Sequence, residues 1–154
     1  MTKQVEITNR DGHILRGIVN IPEDGTRFPA IVNVHGFTGN KSGYKSIYTH
    51  TARFLAEHGF ASVRFDLYGN GESDGEFEDM TFTGILHDIE DIIKWTKTQD
   101  FANPDKIKNI NVLLLISDIV LKDPTIKTIN HKKINIIISC GDKDFFIDIN
   151  RELH

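Results

Sequence analysis

Cysteine is almost absent from the 154 residues: Cys140 stands alone, so no intramolecular disulfide can form and every multi-cysteine zinc module is excluded. A lone thiol suits a reducing compartment, and the cytoplasm is the expected location. Positive charge is also scarce. The 18 Lys and Arg against 22 Asp and Glu give a formal charge of -4, which excludes a basic nucleic-acid footprint and offers nothing to an anionic membrane surface. The expected partners are small molecules, with no nucleic acid and no membrane. No run approaches the roughly 20 apolar residues of a membrane helix, and the start Met1-Thr2-Lys3-Gln4-Val5-Glu6 lacks the apolar stretch of a signal peptide. Internal repeats, low-complexity tracts and linkers are missing as well. A chain 39% hydrophobic is therefore expected to form a single domain over 1–154, with one core burying roughly 70% of the unfolded surface.

What is present alternates between strand and helix patterns. Val5 to Asn9 and Ile14 to Pro22 flank Asp11-Gly12, a pair that tolerates positive φ, and predict an opening hairpin. Ala30-Ile31-Val32-Asn33-Val34 is rich in β-branched residues and ends in His35-Gly36, as a buried parallel strand would. From Ile47, apolar or small residues at Thr51, Phe54, Leu55 and His58 form a helical stripe closed by Gly59. Phe60 to Phe65 predicts the next strand. A second helix carries Ile85, Ile89, Ile92, Ile93 and Thr96 on its apolar face, with Trp95 at the margin and Asp88, Glu90, Asp91 and Lys94 mostly opposite. Val112 to Ile116 and Ile134 to Ser139 are apolar runs too short for typical helices and predict buried strands. This order argues for an α/β domain with a mostly parallel sheet, whose ligands collect at the carboxyl ends of the strands. After about residue 105 the composition shifts to Ile, Asn and Lys, and glycine nearly disappears.

Two loops carry the chemistry. In His35-Gly36-Phe37-Thr38-Gly39 the glycines let the backbone turn so that amides point into a cleft, an arrangement suited to a developing oxyanion. The plain alternative is a glycine-rich connecting turn. Asp66-Leu67-Tyr68-Gly69-Asn70-Gly71-Glu72-Ser73-Asp74-Gly75 leaves the next strand, and its glycines miss the dinucleotide-binding spacing, which needs one at 74. The acidic set Glu72, Asp74, Glu76, Glu78 and Asp79 lacks calcium-loop spacing and reads as a solvated loop. Cys140 has no activating base beside it in sequence, and His13, His50, His58, His87 and His131 read as surface or helix-face residues.

Taken together, the two loops resemble the α/β-hydrolase superfamily, and within it the serine esterases and aminopeptidase-like members related to cinnamoyl or feruloyl esterases. The match covers residues 1 to about 100. The resemblance implies that His35-Gly36-Phe37 is an oxyanion-hole loop with the Phe37 amide as donor. It implies that Arg64-Phe65-Asp66 through Ser73-Asp74-Gly75 shapes the floor of an active site. Farther on, Ile136-Ile137-Ile138-Ser139-Cys140-Gly141-Asp142-Lys143-Asp144 resembles the strand and turn that carry the triad acid, at Asp144. The implied substrate is a small acyl ester, and neither a cofactor nor a metal is implied.

The family's nucleophile sits in G-x-S-x-G on a sharp strand-to-helix elbow. The pattern occurs once, as Gly71-Glu72-Ser73-Asp74-Gly75, but Ser73 lies several residues past Phe65 in a polar loop, which is the wrong context. Two placements of the following chain are open. If Val112 to Ile116 is the elbow strand, Ser117 takes the nucleophile position, though Leu115 and Ile119 replace both glycines and crowd the turn. If Ile110 through Asp123 is the strand after the elbow helix, the elbow itself is missing; this second placement is preferred. His154 is terminal and has no motif around it.

The expectation is an incomplete α/β-hydrolase fold, a mostly parallel sheet with an N-terminal hairpin and flanking helices, whose second half over 105–154 is shortened. By family it is a carboxylic ester hydrolase with impaired catalysis; the alternative is a non-catalytic, truncated hydrolase-like fragment or binding module. A missing elbow strand would force the strand ending at His35 to pair directly with Val112 to Ile116 or leave apolar edges open, which leads to an expectation of marginal stability or self-association.

Overall fold

A computed structural model describes residues 1–107, 109–113, 136–140 and 143–147. Strand β1 (Thr2–Thr8) pairs antiparallel with β2 (Ile14–Asn20), in register from Thr2 opposite Asn20 to Thr8 opposite Ile14. Asn9 braces the hairpin turn: its Oδ1 accepts from the amides of Asp11 at 3.1 Å and His13 at 2.9 Å, its backbone bonds His13 and Gly12, and Gly12 takes φ 87°. Strand β3 (Ala30–Val34) is followed by helix α1 (Ile47–Glu57), strand β4 (Ala61–Phe65) and helix α2 (Phe82–Thr98). Thr81 caps α2 by accepting from the Gly84 amide at 3.0 Å. Three further strands are β5 (Asn109–Leu113), β6 (Ile136–Cys140) and β7 (Lys143–Ile147).

The seven strands form one sheet in the order β1-β2-β4-β3-β5-β6-β7. It is mixed rather than mostly parallel. β3 pairs parallel with both β4 and β5, and β5 with β6, whereas β1–β2, β2–β4 and β6–β7 are antiparallel. The correction has two sources. The opening hairpin joins the sheet through β2, and the segment Lys143 to Ile147 doubles back on β6 as a strand, where the sequence suggests a turn. β3 has no open edge: Ile31 lies opposite Asn109 and Val34 opposite Val112, so β5 fills the position beside it. The chain reaches that position because Phe28 exchanges backbone hydrogen bonds with Phe101 and Asn103, both at 2.8 Å, which fixes the start of β3 beside the exit of α2. The strand predicted at Val112 to Ile116 thus begins three residues earlier, at Asn109; Leu114 to Ile116 lie outside the described residues.

The sheet's two faces are chemically unlike. Leu15, Val19, Val32, Val63, Phe65, Ile89 and Ile92 are almost fully buried, and Phe65 meets Trp95 of α2 edge-on with ring centroids 5.4 Å apart. The face toward α1 is polar although buried: Asn33 Nδ2 donates to Ser62 Oγ at 2.8 Å and Arg64 Nη1 donates to Thr49 Oγ1 at 2.9 Å. A helix over polar groups must come close with small residues. Ala52 is the buried residue of α1, while Ile47 and Phe54, both expected on the inner stripe, are more than half exposed. Asp88 departs from expectation in the other direction. It is buried in α2, accepting from Asn9 Nδ2 at 2.7 Å and the Tyr68 amide at 2.8 Å, and burial raises its carboxyl above the ordinary aspartate value.

Candidate functional site

Because β3 and β4 are parallel and Val34 lies opposite Phe65, the loops that follow them leave the same edge of the sheet. Contacts at both ends of the first loop tie it to the second. At one end buried His35 accepts the Leu67 amide at Nε2, 3.1 Å away, and at the other the Lys41 amide donates to Asp66 Oδ1 at 2.6 Å. The Lys41 ammonium donates to Asp66 Oδ2 at 2.5 Å and to Glu72 Oε2 at 2.7 Å. Asp66 also accepts from the Glu72 amide at 2.9 Å. Burial alone would lower the Lys41 ammonium, and the ion pairs with Asp66 and Glu72 more than reverse this, so it sits above the ordinary lysine value. Arg64 lies beneath, donating from Nη1 to the Lys41 carbonyl at 3.0 Å. Its Nε is buried without an acceptor among the described residues, and burial, with the nearby Arg53, lowers its affinity for the proton.

Between these anchors Gly36 is buried and Phe37 stands 44% exposed, its ring edge-on to Phe77 at 5.2 Å. Among the described residues the Phe37 amide donates to nothing. A backbone donor with no partner, at the carboxyl end of a central parallel strand, can stabilise negative charge on a substrate oxygen.

Ser73 is committed elsewhere. Its Oγ donates to the Asp66 carbonyl at 2.7 Å and accepts the Arg16 amide at 2.9 Å, so the hydroxyl of Gly71-Glu72-Ser73-Asp74-Gly75 is a brace between β2 and the loop after β4. The short 3₁₀ turn Phe77–Asp79 follows it, with no elbow helix. Its acidic neighbours are paired too: Glu72 with Lys41, and Asp74 with Arg16 at 2.9 Å. Asp144 lies one residue into β7, opposite Ser139 near the end of β6. Since β6 runs parallel to β5 and β5 to β3, this register places the Asp144 backbone at the same edge as His35-Gly36-Phe37. Ser117, His131 and His154 lie outside the described residues. Lys41 and Glu72 were not legible as site residues, although Lys41 falls six residues past His35, where the loop returns toward Asp66.

His35 also makes the site sensitive to pH. Burial lowers its imidazole below 6.5, opposed by the Gly36 carbonyl and Asp66 and aided by Lys41. Near and below pH 6.5 the unfolded chain therefore takes up a proton that the folded chain refuses, so this contribution to stability falls as pH drops from there toward the folded value. Urea midpoints measured from pH 8 to 5 should decline on this account in the wild type. Subtracting the His35→Asn profile isolates the effect, and identical profiles would show that His35 does not supply it.

The seven-stranded sheet and its flanking helices form an α/β-hydrolase fold, as the likeness to solved α/β hydrolases shows. Residues 11–107 match the family described as X-Pro dipeptidyl-peptidase (S15 family), and the chain belongs to that family. It is 32% identical over 87 residues to an uncharacterized 31.7 kDa protein in the traX-finO intergenic region of Escherichia coli, a match covering 56% of this chain and 29% of that one. Among solved structures it resembles the α/β hydrolase GrgF from Penicillium sp. sh18, with TM-score 0.63, 28% identity, and 75% of this chain against 37% of that one. It also resembles Est1E from Butyrivibrio proteoclasticus, solved with ferulic acid bound, with TM-score 0.59, 29% identity, and coverage of 71% and 41%. The Pyrococcus furiosus esterase Pf2001 gives TM-score 0.54 and 25% identity over 75% of this chain and 42% of that one. The matched region thus spans less than half of each of these proteins. Among the described residues, no helix is long and apolar enough to cross a membrane.

Proposed function

We propose that the site is that of a serine-type hydrolase of small carboxylic esters, with the Phe37 amide as an oxyanion donor and Asp144 as the acid orienting a histidine base. The observation that carries the reading is the Phe37 N–H, without an acceptor among the described residues on a loop held at both ends. Loss of one such donor typically slows acyl transfer by about a hundredfold to a thousandfold. Esters are favoured over peptides as substrates because Pf2001 is an esterase and Est1E is solved with ferulic acid bound. We further propose that these 154 residues alone turn esters over weakly, since the serine of their G-x-S-x-G pattern is bonded on both sides to backbone. The same fact supports a second reading, a binding module without catalysis. Ser117 is the remaining, weaker candidate for the nucleophile. The proposed setting is a reducing compartment such as the cytoplasm, with a small neutral acyl compound as partner and neither nucleic acid nor membrane.

Two measurements test the halves separately. Hydrolysis of p-nitrophenyl acetate and butyrate should be slow, and slower still in a Phe37→Pro variant, which lacks the amide. Faster turnover with stoichiometric fluorophosphonate labelling would overturn the weak-turnover half, and peptide mapping would then name the serine, Ser117 being expected over Ser73. Phenylphosphonate, a tetrahedral anion, should shift the Phe37 amide resonance first in a titration. No shift there would remove the oxyanion half, and preferential cleavage of an X-Pro p-nitroanilide would overturn the ester class.

A further inference from the structure

The Phe37 amide shares a peptide unit with the Gly36 carbonyl, and that carbonyl is held by two donors, His35 Nδ1–H at 2.8 Å and the Gly39 amide at 2.9 Å. In a trans peptide the C=O and N–H point in opposite directions, and no described peptide bond is cis. Fixing the carbonyl toward His35 and Gly39 therefore turns the Phe37 N–H the other way. His35 can donate from Nδ1 in its neutral form only if Nε2 carries the lone pair. The Leu67 amide, donating to Nε2 at 3.1 Å, requires that same tautomer. A backbone amide of the second loop thus chooses the protonation pattern of an imidazole that sets a peptide plane in the first.

We propose that His35 is a positioning residue: its Nδ1–H, in the tautomer selected by the Leu67 amide, orients the Gly36–Phe37 peptide so that the Phe37 N–H is presented as an oxyanion donor. The chemical consequence rests on the ester-hydrolase reading above; the tautomer and the peptide orientation do not. Burial of the ring, 2% exposed, disfavours the imidazolium and keeps His35 neutral near pH 7. Only the neutral ring can accept from Leu67 while donating to Gly36. A histidine that merely filled space would show no preference between side chains able and unable to donate from the Nδ1 position.

The test begins with the intact wild-type chain and no ligand. Nitrogen NMR of the imidazole at pH 7.5 should show Nδ1 protonated and Nε2 bare; the opposite tautomer, or an imidazolium, overturns the proposal. The second part compares His35→Asn, whose amide nitrogen falls near Nδ1, with His35→Gln, whose amide is one methylene farther out. Residual dipolar couplings should leave the Phe37 N–H direction unchanged in His35→Asn and altered in His35→Gln. Phenylphosphonate affinity should follow, within about threefold of wild type for the first and weakened about tenfold for the second, a loss of about 1.4 kcal/mol. Equal behaviour of the two variants overturns the positioning role. If the wild type fails to bind phenylphosphonate but the tautomer and couplings come out as stated, the ester-hydrolase reading falls and the His35 assignment stands.

Discussion

Replacing Asp66 by alanine should cost about 3 to 5 kcal/mol, the range for removing one partner of a buried ion pair. The carboxylate is fully buried and serves three donors, the Lys41 amide, the Lys41 ammonium and the Glu72 amide. Alanine leaves both amides without their acceptor, each worth about 1 to 3 kcal/mol if water cannot reach it. Lys41 keeps Glu72, whose side chain is 71% exposed, and this residual pairing places the expected loss toward the lower end. Asp66→Asn should lose nearly as much, because its amide nitrogen would face the Glu72 N–H or Lys41, all of them donors. Against a total stability of about 5 to 15 kcal/mol, either change brings the chain near its threshold. Urea unfolding followed by far-ultraviolet circular dichroism and Trp95 fluorescence reads the loss, and a cost below about 1 kcal/mol would mean that the carboxylate is not the joint between the two loops.

That joint shows where sequence reading stops. Ala30 to Val34 and Ala61 to Phe65 are legible as strands because β-branched and apolar residues end at loops containing glycine, and parallel pairing then brings both loops to one edge. The hydrolase resemblance rests on those loops, His35 to Gly39 and Asp66 to Gly75. The partners of Asp88 were out of reach: Asn9 is 79 residues away and Tyr68 is 20, so helical periodicity could count the carboxylate only as polar and place it outside. The buried face of α1 differs from its apolar stripe for a related reason. Ser62 and Arg64 alternate with Val63 in a strand buried on both faces, and only the packing shows that the polar side is covered by Ala52 and Thr49 instead of Phe54. Of the two arrangements expected beside β3, an open edge or direct pairing with the following strand, direct pairing with β5 is the one observed. The roles of Asp144 and Ser117 depend on where side chains point, which spacing alone does not determine.

Gly17→Val should destabilise the chain by about 2 to 3 kcal/mol, at the upper part of the range for overpacking a core. Gly17 lies in β2 directly opposite Phe65, and a Cβ there would stand 2.6 to 2.7 Å from three atoms of the Phe65 ring. Its φ is not positive, so glycine is needed for space and not for conformation. The ring has no free direction: it is 1% exposed and meets Trp95 edge-on, and Trp95 in turn meets Phe101 at 6.4 Å. Phe65 must therefore rotate against Trp95 or carry its backbone with it, and the next residue is Asp66. The first response alters Trp95 emission in the folded state, and the second also loosens Lys41 and the Phe37 loop, weakening phenylphosphonate binding. Gly12→Ala separates crowding from backbone strain, since Gly12 has φ 87° with nothing within 4 Å of a new Cβ. It should cost about 1 kcal/mol through the left-handed conformation alone and leave Trp95 emission unchanged. Wild-type urea midpoint and emission in Gly17→Val would show that Phe65 does not cover Gly17, and with it that the β2–β4 register is wrong.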